Sequence, residues 1–145
     1  MQLLHKALVT NNHLKHNGRL QYGLFLKGAG LSLEESMTFW KKHFCKKIAE
    51  DKFEKEYAYN IRHNYGKEGK RTDYTPWGCE RIQSLPPMGS GETHGCPFKT
   101  YSEDKLKTIL YDMKFADLDI AKILEKKRNN EYSVNTIFTL LIYFI

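Results

Sequence analysis

Residues 32–48 read SLEESMTFWKKHFCKKI, and their apolar spacing predicts the fold class. The apolar residues recur at steps of four, three, four and four, at Leu33, Met37, Trp40, Phe44 and Ile48. Positions spaced in this way share one face of an α-helix. Ser32 and Glu35 add a capping box, in which a hydroxyl and a carboxylate bind the free amides at a helix start. The stretch therefore predicts a helix that begins after Ser32 and packs one face into a core.

Helical spacing also dominates the segments on either side. An apolar helical pattern over residues 3–14 is expected to end at Asn17-Gly18, and the short segment 19–27 fits either a helix or a strand. Ser102 and Asp117 are each expected to cap a later helix. The residues of those two helices that are expected to face inward are Leu106, Ile109, Leu110, Met113, Ile120, Ile123 and Leu124. The chain is therefore expected to be mainly α.

The exception is an irregular region from about Asn60 to Met88. Glycines and prolines interrupt it, at Gly66, Gly69, Pro76, Gly78, Pro86 and Pro87. A loop of this length inside a compact domain is usually functional or held in place by another group. We therefore expect a helical domain with one long irregular loop region.

The composition is that of a folded chain. The 145 residues fit a single domain over 1–145, and the 41% of hydrophobic residues are enough for a core. No apolar run reaches the ~20 residues of a membrane-spanning helix, and the N-terminus has no signal-peptide pattern. Three cysteines are too few for a secreted disulfide scaffold, so an intracellular protein is favoured.

Positive charge is concentrated in the first half. Residues 1–72 hold 14 Lys and Arg against 7 Asp and Glu, whereas residues 73–145 hold 9 against 10. A basic half rich in aromatic residues suits a polyanion, because cations bind phosphates and rings stack on bases. Many basic proteins bind no nucleic acid, so charge alone leaves both options open.

Cys79 and Cys96 form the first candidate site, because each lies in irregular sequence beside glycine or proline. A metal-binding thiolate needs a backbone free to bend around the ion, and Cys-Pro recurs after ligands in iron–sulfur sequences. Two cysteines seventeen positions apart do not complete a tetrahedral site. Burial as small apolar residues is therefore the alternative. Cys45 follows the aromatic face of a helix and is interpreted as a packing residue.

A second candidate site surrounds the expected turn at Asn17-Gly18. Its members are Lys15, His16, Arg19, Tyr22 and Lys27. Cations grouped where a chain turns into a helix can bind several phosphate oxygens, and the helix amides add to their field. A solvated basic turn would explain the same residues, so both interpretations stand.

The third candidate site is aromatic. Tyr57 and Tyr59 alternate, and alternate side chains of an extended backbone lie on one face. Two rings on one face would stack on unpaired bases, and the neighbouring Asn60 could bind a base edge. Core aromatics are the alternative interpretation. The basic loop that follows, at residues 66–71, could bind a nucleic-acid backbone or be solvated.

The sequence contains no recognisable catalytic set. Its carboxylates are scattered, and those at 34–35 and 103–104 are explained by helix starts, where the helix dipole favours negative charge. Nothing resembles the carboxylates of a two-metal phosphoryl transfer or a phosphate-binding glycine loop.

Five long motifs resemble a single family. They are residues 18–28 (GRLQYGLFLKG), 39–41 (FWK), 59–63 (YNIRH), 66–74 (GKEGKRTDY) and 94–98 (HGCPF). Together they are similar to the C-terminal iron–sulfur domain of the large, regulatory subunit of eukaryotic and archaeal DNA primase, and the eukaryotic form fits best. The likeness extends from about Leu3 to about Val134.

The resemblance implies a mainly helical domain around a 4Fe-4S cluster held by four cysteines, with Cys79 and Cys96 as the two middle ligands. It implies no catalysis, because nucleotide addition belongs to the small subunit. The domain would bind the DNA template and the 5′-triphosphate end of the RNA primer. It would act in the nucleus with the primase small subunit and DNA polymerase alpha, without a membrane.

The resemblance also assigns roles to single residues. The triphosphate and the nearby backbone would contact Lys15, His16, Arg19 and Lys27. The template–primer junction would lie along Tyr22, Tyr57, Tyr59 and Asn60.

The chain departs from the family pattern at three places. Lys15 stands where the family commonly has arginine, so a forked donor becomes a point charge. The first ligand cysteine is expected just before Met1, and the last at about Thr136, in a tail that is atypical from about residue 133. We therefore expect a fragment or a mis-predicted gene product whose cluster is incomplete or absent.

Two alternatives belong to other classes. A zinc-stabilised nucleic-acid-binding module would use Cys79, Cys96 and a histidine such as His94, and would contain zinc without iron. A stand-alone enzyme of nucleic-acid repair is the other, because some photolyase relatives share a similar helical core. The lack of a recognisable flavin site argues against that enzyme.

Overall fold

A computed structural model describes residues 1–132, and these residues form helices joined by irregular segments. The helices are α1 (Gln2–Asn11), α2 (His16–Gly28), α3 (Leu33–Phe44), α4 (Glu50–Phe53), α5 (Tyr59–Asn64), α6 (Cys79–Gln83), α7 (Pro97–Thr100), α8 (Glu103–Asp112) and α9 (Asp117–Arg128). A π-helical turn, Glu54–Ala58, joins α4 to α5. The β pairing within residues 1–132 is one isolated bridge, between Tyr65 and Asp73. The prediction of a mainly α chain is confirmed.

The chain divides into two compact units. Unit 1 comprises residues 1–78 and 88–95, and unit 2 comprises residues 79–87 and the described residues from 96 onward. One domain over 1–145 stays a prediction. The atypical tail and the ligand position expected near Thr136 lie outside the described residues. None of the helices within residues 1–132 is both long and apolar enough to cross a membrane.

Helix α3 packs into the core of unit 1, and its predicted capping box is confirmed. The Ser32 hydroxyl accepts from the Glu35 amide at 3.2 Å, and the Glu35 carboxylate accepts from the Ser32 amide at 2.8 Å. Trp40 and Phe44 are buried, and the other stripe residues pack against the same core. Cys45 packs there too, which confirms its interpretation as a packing residue. Helix α3 contacts α2, α4 and α5.

Unit 2 is built on the pair α8 and α9, which contact each other. Its buried core consists of Leu106, Leu110, Phe115, Ile120, Ile123 and Leu124. Ser102 caps α8 as predicted, since its hydroxyl accepts from the Lys105 amide at 3.4 Å. The expectation that Asp117 caps α9 is wrong. Ala116 is the N-cap and Asp117 is the first helical residue, where its charge still favours the helix dipole.

The helix boundaries of the first half differ from those expected from the sequence. Asn17 and Gly18 lie inside α2, and the backbone turns earlier, at Asn12, whose φ is 50°. Segment 19–27 is therefore helical. The irregular region is also shorter than expected, because α5 continues to Asn64 and the residues around Cys79 form α6.

Candidate nucleic-acid interface

Three of the expected phosphate-binding residues lie together at the N-terminus of α2. Lys15 is the N-cap residue in extended backbone, and His16 begins the helix; both side chains are exposed. Arg19 follows one turn later and is half-buried. The first turn of α2, all of which the structure describes, contains no acidic residue. The cluster therefore sits where the free amides and the helix dipole favour an anion.

Arg19 is held in place from two sides. Its Nη1 donates to the Leu14 carbonyl at 2.9 Å, and its guanidinium carbon lies 4.8 Å from the centre of the Tyr57 ring. The second contact is a cation–π interaction. Burial lowers the pKa of Arg19, but a guanidinium stays charged in proteins. A guanidinium carries five N–H donors, so the bond to Leu14 leaves donors for a phosphate.

His13 belongs to this cluster, although no sequence pattern singled it out. Its ring centre lies 4.9 Å from that of Phe44, and its Nε2 is hydrogen-bonded to the Tyr57 hydroxyl at 3.2 Å. Burial lowers the pKa of His13, and nearby positive charges lower it further, those of Arg19, Lys47 and Lys15. These cations therefore create a positive field that a bound polyanion would neutralise. No motif marks His13, because tertiary packing brings it to the site.

The expectation that Tyr57 and Tyr59 share a face is wrong. Both lie in helical backbone, where residues two positions apart point about 200° away from each other. Tyr57 is half-buried and packs on Phe44 and Phe53, at ring-centre distances of 5.0 and 6.2 Å. Tyr59 is 47% exposed. Tyr57 therefore supports Arg19 from the core side, while Tyr59 faces solvent.

Tyr22 lies in the core. Its side chain is only 5% exposed, and its hydroxyl is hydrogen-bonded to His5 Nδ1 at 2.9 Å. Its ring lies 6.1 Å from that of Trp40, which ties α2 to α3. With 5% of its surface exposed, Tyr22 offers little ring area for a nucleic acid to contact. Its predicted contact with a template–primer junction stays a prediction.

Lys27 is engaged within the chain. Its side chain is 16% exposed, and its ammonium donates to the carbonyls of Asn64 and Tyr74, at 2.9 and 2.6 Å, and to the Asp73 carboxylate. An ammonium has three donors, so a phosphate would have to replace one of these acceptors. In this arrangement Lys27 anchors the irregular segment after α5 to the end of α2.

Asn60 lines a small cavity on unit 1. The other residues around it are His16, Arg19, Leu20, Trp40, Ile61 and Asn64. Its volume is about 20 Å³, which suits a water molecule rather than a nucleobase. The cavity is therefore too small to hold a base, and Asn60 lies beside the cationic cluster.

The segment 88–95 completes the site, and no sequence motif indicated this. Lys15 donates to the Ser90 carbonyl at 2.8 Å. The Gln21 amide makes two bonds with Gly95, donating to its carbonyl at 3.2 Å and accepting from its N–H at 2.7 Å. Gly18 allows the approach, because a Cβ there would lie 2.4 Å from the Thr93 carbonyl oxygen.

The predicted metal ligands lie in unit 2. Burial raises the pKa of the Cys79 thiol, and the neighbouring Cys96 raises it further. Within residues 1–132 no group of three or more His, Cys, Asp or Glu side chains is arranged to hold a metal ion. A 4Fe-4S cluster uses four thiolates, so Cys79 and Cys96 do not make a complete set, and their role as ligands stays a prediction. A zinc site that includes His94 stays a prediction.

Comparisons with known proteins give a consistent result. The family model for the C-terminal domain of the eukaryotic and archaeal DNA primase large subunit matches residues 1–141. The chain is 49% identical to the probable DNA primase large subunit of Arabidopsis thaliana, over 92% of this chain and 29% of that protein. It is 51% identical to the DNA primase large subunit of Homo sapiens, over 92% of this chain and 26% of that protein. It is 43% identical to that of Saccharomyces cerevisiae, over 90% of this chain and 25% of that protein. The chain thus spans between a quarter and three tenths of these three relatives.

Proposed function

The chain belongs to the family of C-terminal domains found in the large subunit of eukaryotic and archaeal DNA primase, and on that premise we propose that it binds a primed template during primer synthesis in DNA replication. The ligand would be the DNA template together with the 5′-triphosphate end of the RNA primer. The observation that carries the proposal is the cluster of Lys15, His16 and Arg19 at the start of α2.

The chemistry of this cluster suits a phosphate chain better than a base. Arg19 offers a planar fork of donors that can bind two phosphate oxygens at once, whereas Lys15 offers a point charge. The free amides of α2 add donors without further charge. Because Arg19, Lys15 and Lys47 create a positive field at His13, a polyanion gains more here than a neutral end would.

The other parts of the proposal rest on the relatives' names and on the residues. The chain acts as a regulatory binding module, with nucleotide addition left to the primase small subunit and extension to DNA polymerase alpha. Its place of action is the nucleus, where eukaryotic DNA is replicated. Tyr59 and Asn60 lie along the template–primer junction, beside the phosphate cluster.

We expect the chain to prefer a primed template that carries a 5′-triphosphate. Labelled RNA–DNA duplexes that differ only in a 5′-triphosphate or a 5′-hydroxyl should be titrated with the chain by fluorescence anisotropy. The triphosphate should bind roughly 100-fold or more tightly, since two charge-assisted hydrogen bonds from Arg19 contribute about 1.5–3 kcal/mol each. Raising the salt concentration should reduce this preference, because phosphate contacts release counterions. Equal affinities at low salt would contradict the proposed function.

We also propose that the chain, with Cys79 and Cys96 alone of the four ligands, does not assemble a stable 4Fe-4S cluster. After anaerobic incubation with iron and sulfide followed by desalting, iron should remain well below four atoms per chain, because a cubane cluster uses four thiolates. Cys45→Ser should behave like the unsubstituted chain, since Cys45 packs in the core of unit 1. A stable cluster absorbance with four irons would contradict the proposal, and zinc without iron would favour the zinc-stabilised module.

A further inference from the structure

His13 lies half-buried between α1 and α2, next to the phosphate cluster. Its ring centre is 4.9 Å from that of Phe44 and 5.8 Å from that of Tyr57, whose plane it meets at 83°. Its Nε2 is hydrogen-bonded to the Tyr57 hydroxyl at 3.2 Å. The face of the same Tyr57 ring carries the guanidinium of Arg19. His13 is therefore connected, through Tyr57, to the arginine of the proposed phosphate site.

The charged groups that act on His13 within residues 1–132 are all cations. Arg19 and Lys15 belong to the phosphate cluster, and Lys47 follows α3. The polar group in contact with the ring is the Tyr57 hydroxyl. Burial and these three cations disfavour a positive charge on the imidazole, so the pKa of His13 lies below its ordinary value. With the site empty, His13 is therefore neutral near pH 7.

A bound triphosphate would reverse this balance. It brings several negative charges to Lys15 and Arg19, and these charges favour the imidazolium form of His13. An imidazolium has donors and no acceptor, so its Nε2–H would donate to the Tyr57 oxygen. Protonation thus fixes the direction of this hydrogen bond and holds the ring that carries Arg19. By linkage, a ligand that favours protonation of His13 binds more tightly once His13 is protonated.

We propose that His13 is a proton-linked positioning residue of the phosphate site, neutral while the site is empty and protonated from solvent when the primer's 5′-triphosphate binds. The inference rests on the proposed function, because that function identifies the anion. His13 acts through Tyr57, which packs between it and Arg19, and needs no contact of its own with the primer. Binding of the triphosphate end is therefore coupled to the uptake of a proton.

The sign of the expected pH dependence follows from the two states of the site. In the free chain the pKa of His13 is lowered, and in the complex the anion raises it. The protonated chain therefore binds the triphosphate more tightly. Affinity is highest at a pH below the free-chain pKa, falls as the pH rises through the interval between the two pKa values, and is constant above it. One linked proton changes affinity by no more than about tenfold per pH unit.

The test compares the unsubstituted chain with His13→Gln, whose amide can still bond to the Tyr57 hydroxyl but does not titrate. Calorimetric titrations with the 5′-triphosphate RNA–DNA duplex, in PIPES and in ACES at about pH 6.5, give the number of protons taken up. The unsubstituted chain should take up a substantial fraction of a proton more than His13→Gln. Its affinity should also fall roughly 3- to 10-fold further between about pH 6 and about pH 8. Titration of His16 and of the phosphates is common to both chains and cancels in the difference.

His43→Gln is the matched control. His43 is also half-buried, with its ring centre 5.0 Å from that of Phe39, and burial and nearby positive groups also lower its pKa. Those groups are different ones: Lys46, His5 and Lys42. His43→Gln should therefore take up as many protons as the unsubstituted chain. A duplex with a 5′-hydroxyl is the control for the ligand, and it should cause much less proton uptake.

The outcomes separate this inference from the proposed function. If the unsubstituted chain prefers the triphosphate end but takes up no more protons than His13→Gln, the inference is wrong and the proposed function stands. A His13→Gln chain that loses the same affinity at every pH would show a structural role only, which also overturns the inference. If His13→Gln does not fold, an NMR titration of the His13 ring in the unsubstituted chain decides. Its pKa should rise when the triphosphate duplex is added, and an unchanged pKa would overturn the inference.

Discussion

Replacing Arg19 by methionine should lower affinity for a 5′-triphosphate primed template by about 100-fold, through loss of two charge-assisted hydrogen bonds at the weaker end of their range. Affinity for the matching 5′-hydroxyl duplex should fall far less. Methionine keeps an apolar stem against Tyr57, so packing is largely retained while the charge and the donors are removed. Anisotropy titrations of both duplexes at one low salt concentration measure the two losses directly.

Two further variants show what the guanidinium contributes. Arg19→Lys keeps the charge but loses the planar fork, so its triphosphate affinity should fall between those of the unsubstituted and methionine chains. Arg128→Met removes an exposed arginine of unit 2 that pairs with Glu103, and should leave the triphosphate preference intact. Equal losses on both duplexes with Arg19→Met would mean that Arg19 supports the fold or contributes only general charge.

The parts of the fold that sequence predicted are those governed by local rules. The capping box at Ser32 depends on residues three positions apart, and the stripe of α3 depends on helical periodicity. Both are found in the structure. The grouping of Lys15, His16 and Arg19 was also predicted, but around a turn at Asn17-Gly18, whereas in the structure those two residues lie inside α2.

The predictions were wrong where contacts between residues distant in the sequence determine the position of a side chain. Alternation suggested that Tyr57 and Tyr59 share a face, but their helical backbone directs them apart, and Tyr57 packs on Phe44 instead. The contact between the rings of His63 and Tyr74 could not be predicted either, since it depends on the Lys27 bond to the Tyr74 carbonyl and on the bridge between Tyr65 and Asp73.

Gly18 shows that the structural role of a glycine cannot be inferred from its sequence neighbours alone. Glycine beside asparagine is typical of a turn, and the sequence was interpreted in that way. In the structure Gly18 is buried inside α2, where the missing side chain lets the Thr93 carbonyl approach. The same helix contains Gly23, where a Cβ would find its nearest atoms at an ordinary 3.6 Å. Alanine substitutions at these two glycines of one helix are therefore expected to change stability in opposite directions.

Gly18→Ala should destabilise the chain, whereas Gly23→Ala should leave its stability unchanged or raise it. Alanine favours a helix interior over glycine by about 1 kcal/mol, and both variants gain that term. At Gly18 the new methyl would meet backbone at 2.4 Å, and overpacking typically costs about 1–3 kcal/mol. The free energies of unfolding, measured in urea, should thus differ between the two variants by roughly 1–3 kcal/mol.

The same pair tests whether segment 88–95 serves the phosphate site. A methyl at Gly18 would push the Thr93 carbonyl away and strain the two bonds between Gln21 and Gly95, which hold the segment beside Lys15. Under conditions where both variants remain folded, Gly18→Ala should therefore weaken binding of the triphosphate duplex, and Gly23→Ala should not. Equal stability of the two variants would mean that the segment yields at no cost, and unchanged binding by a destabilised Gly18→Ala chain would mean that it contributes to the fold but not to the site.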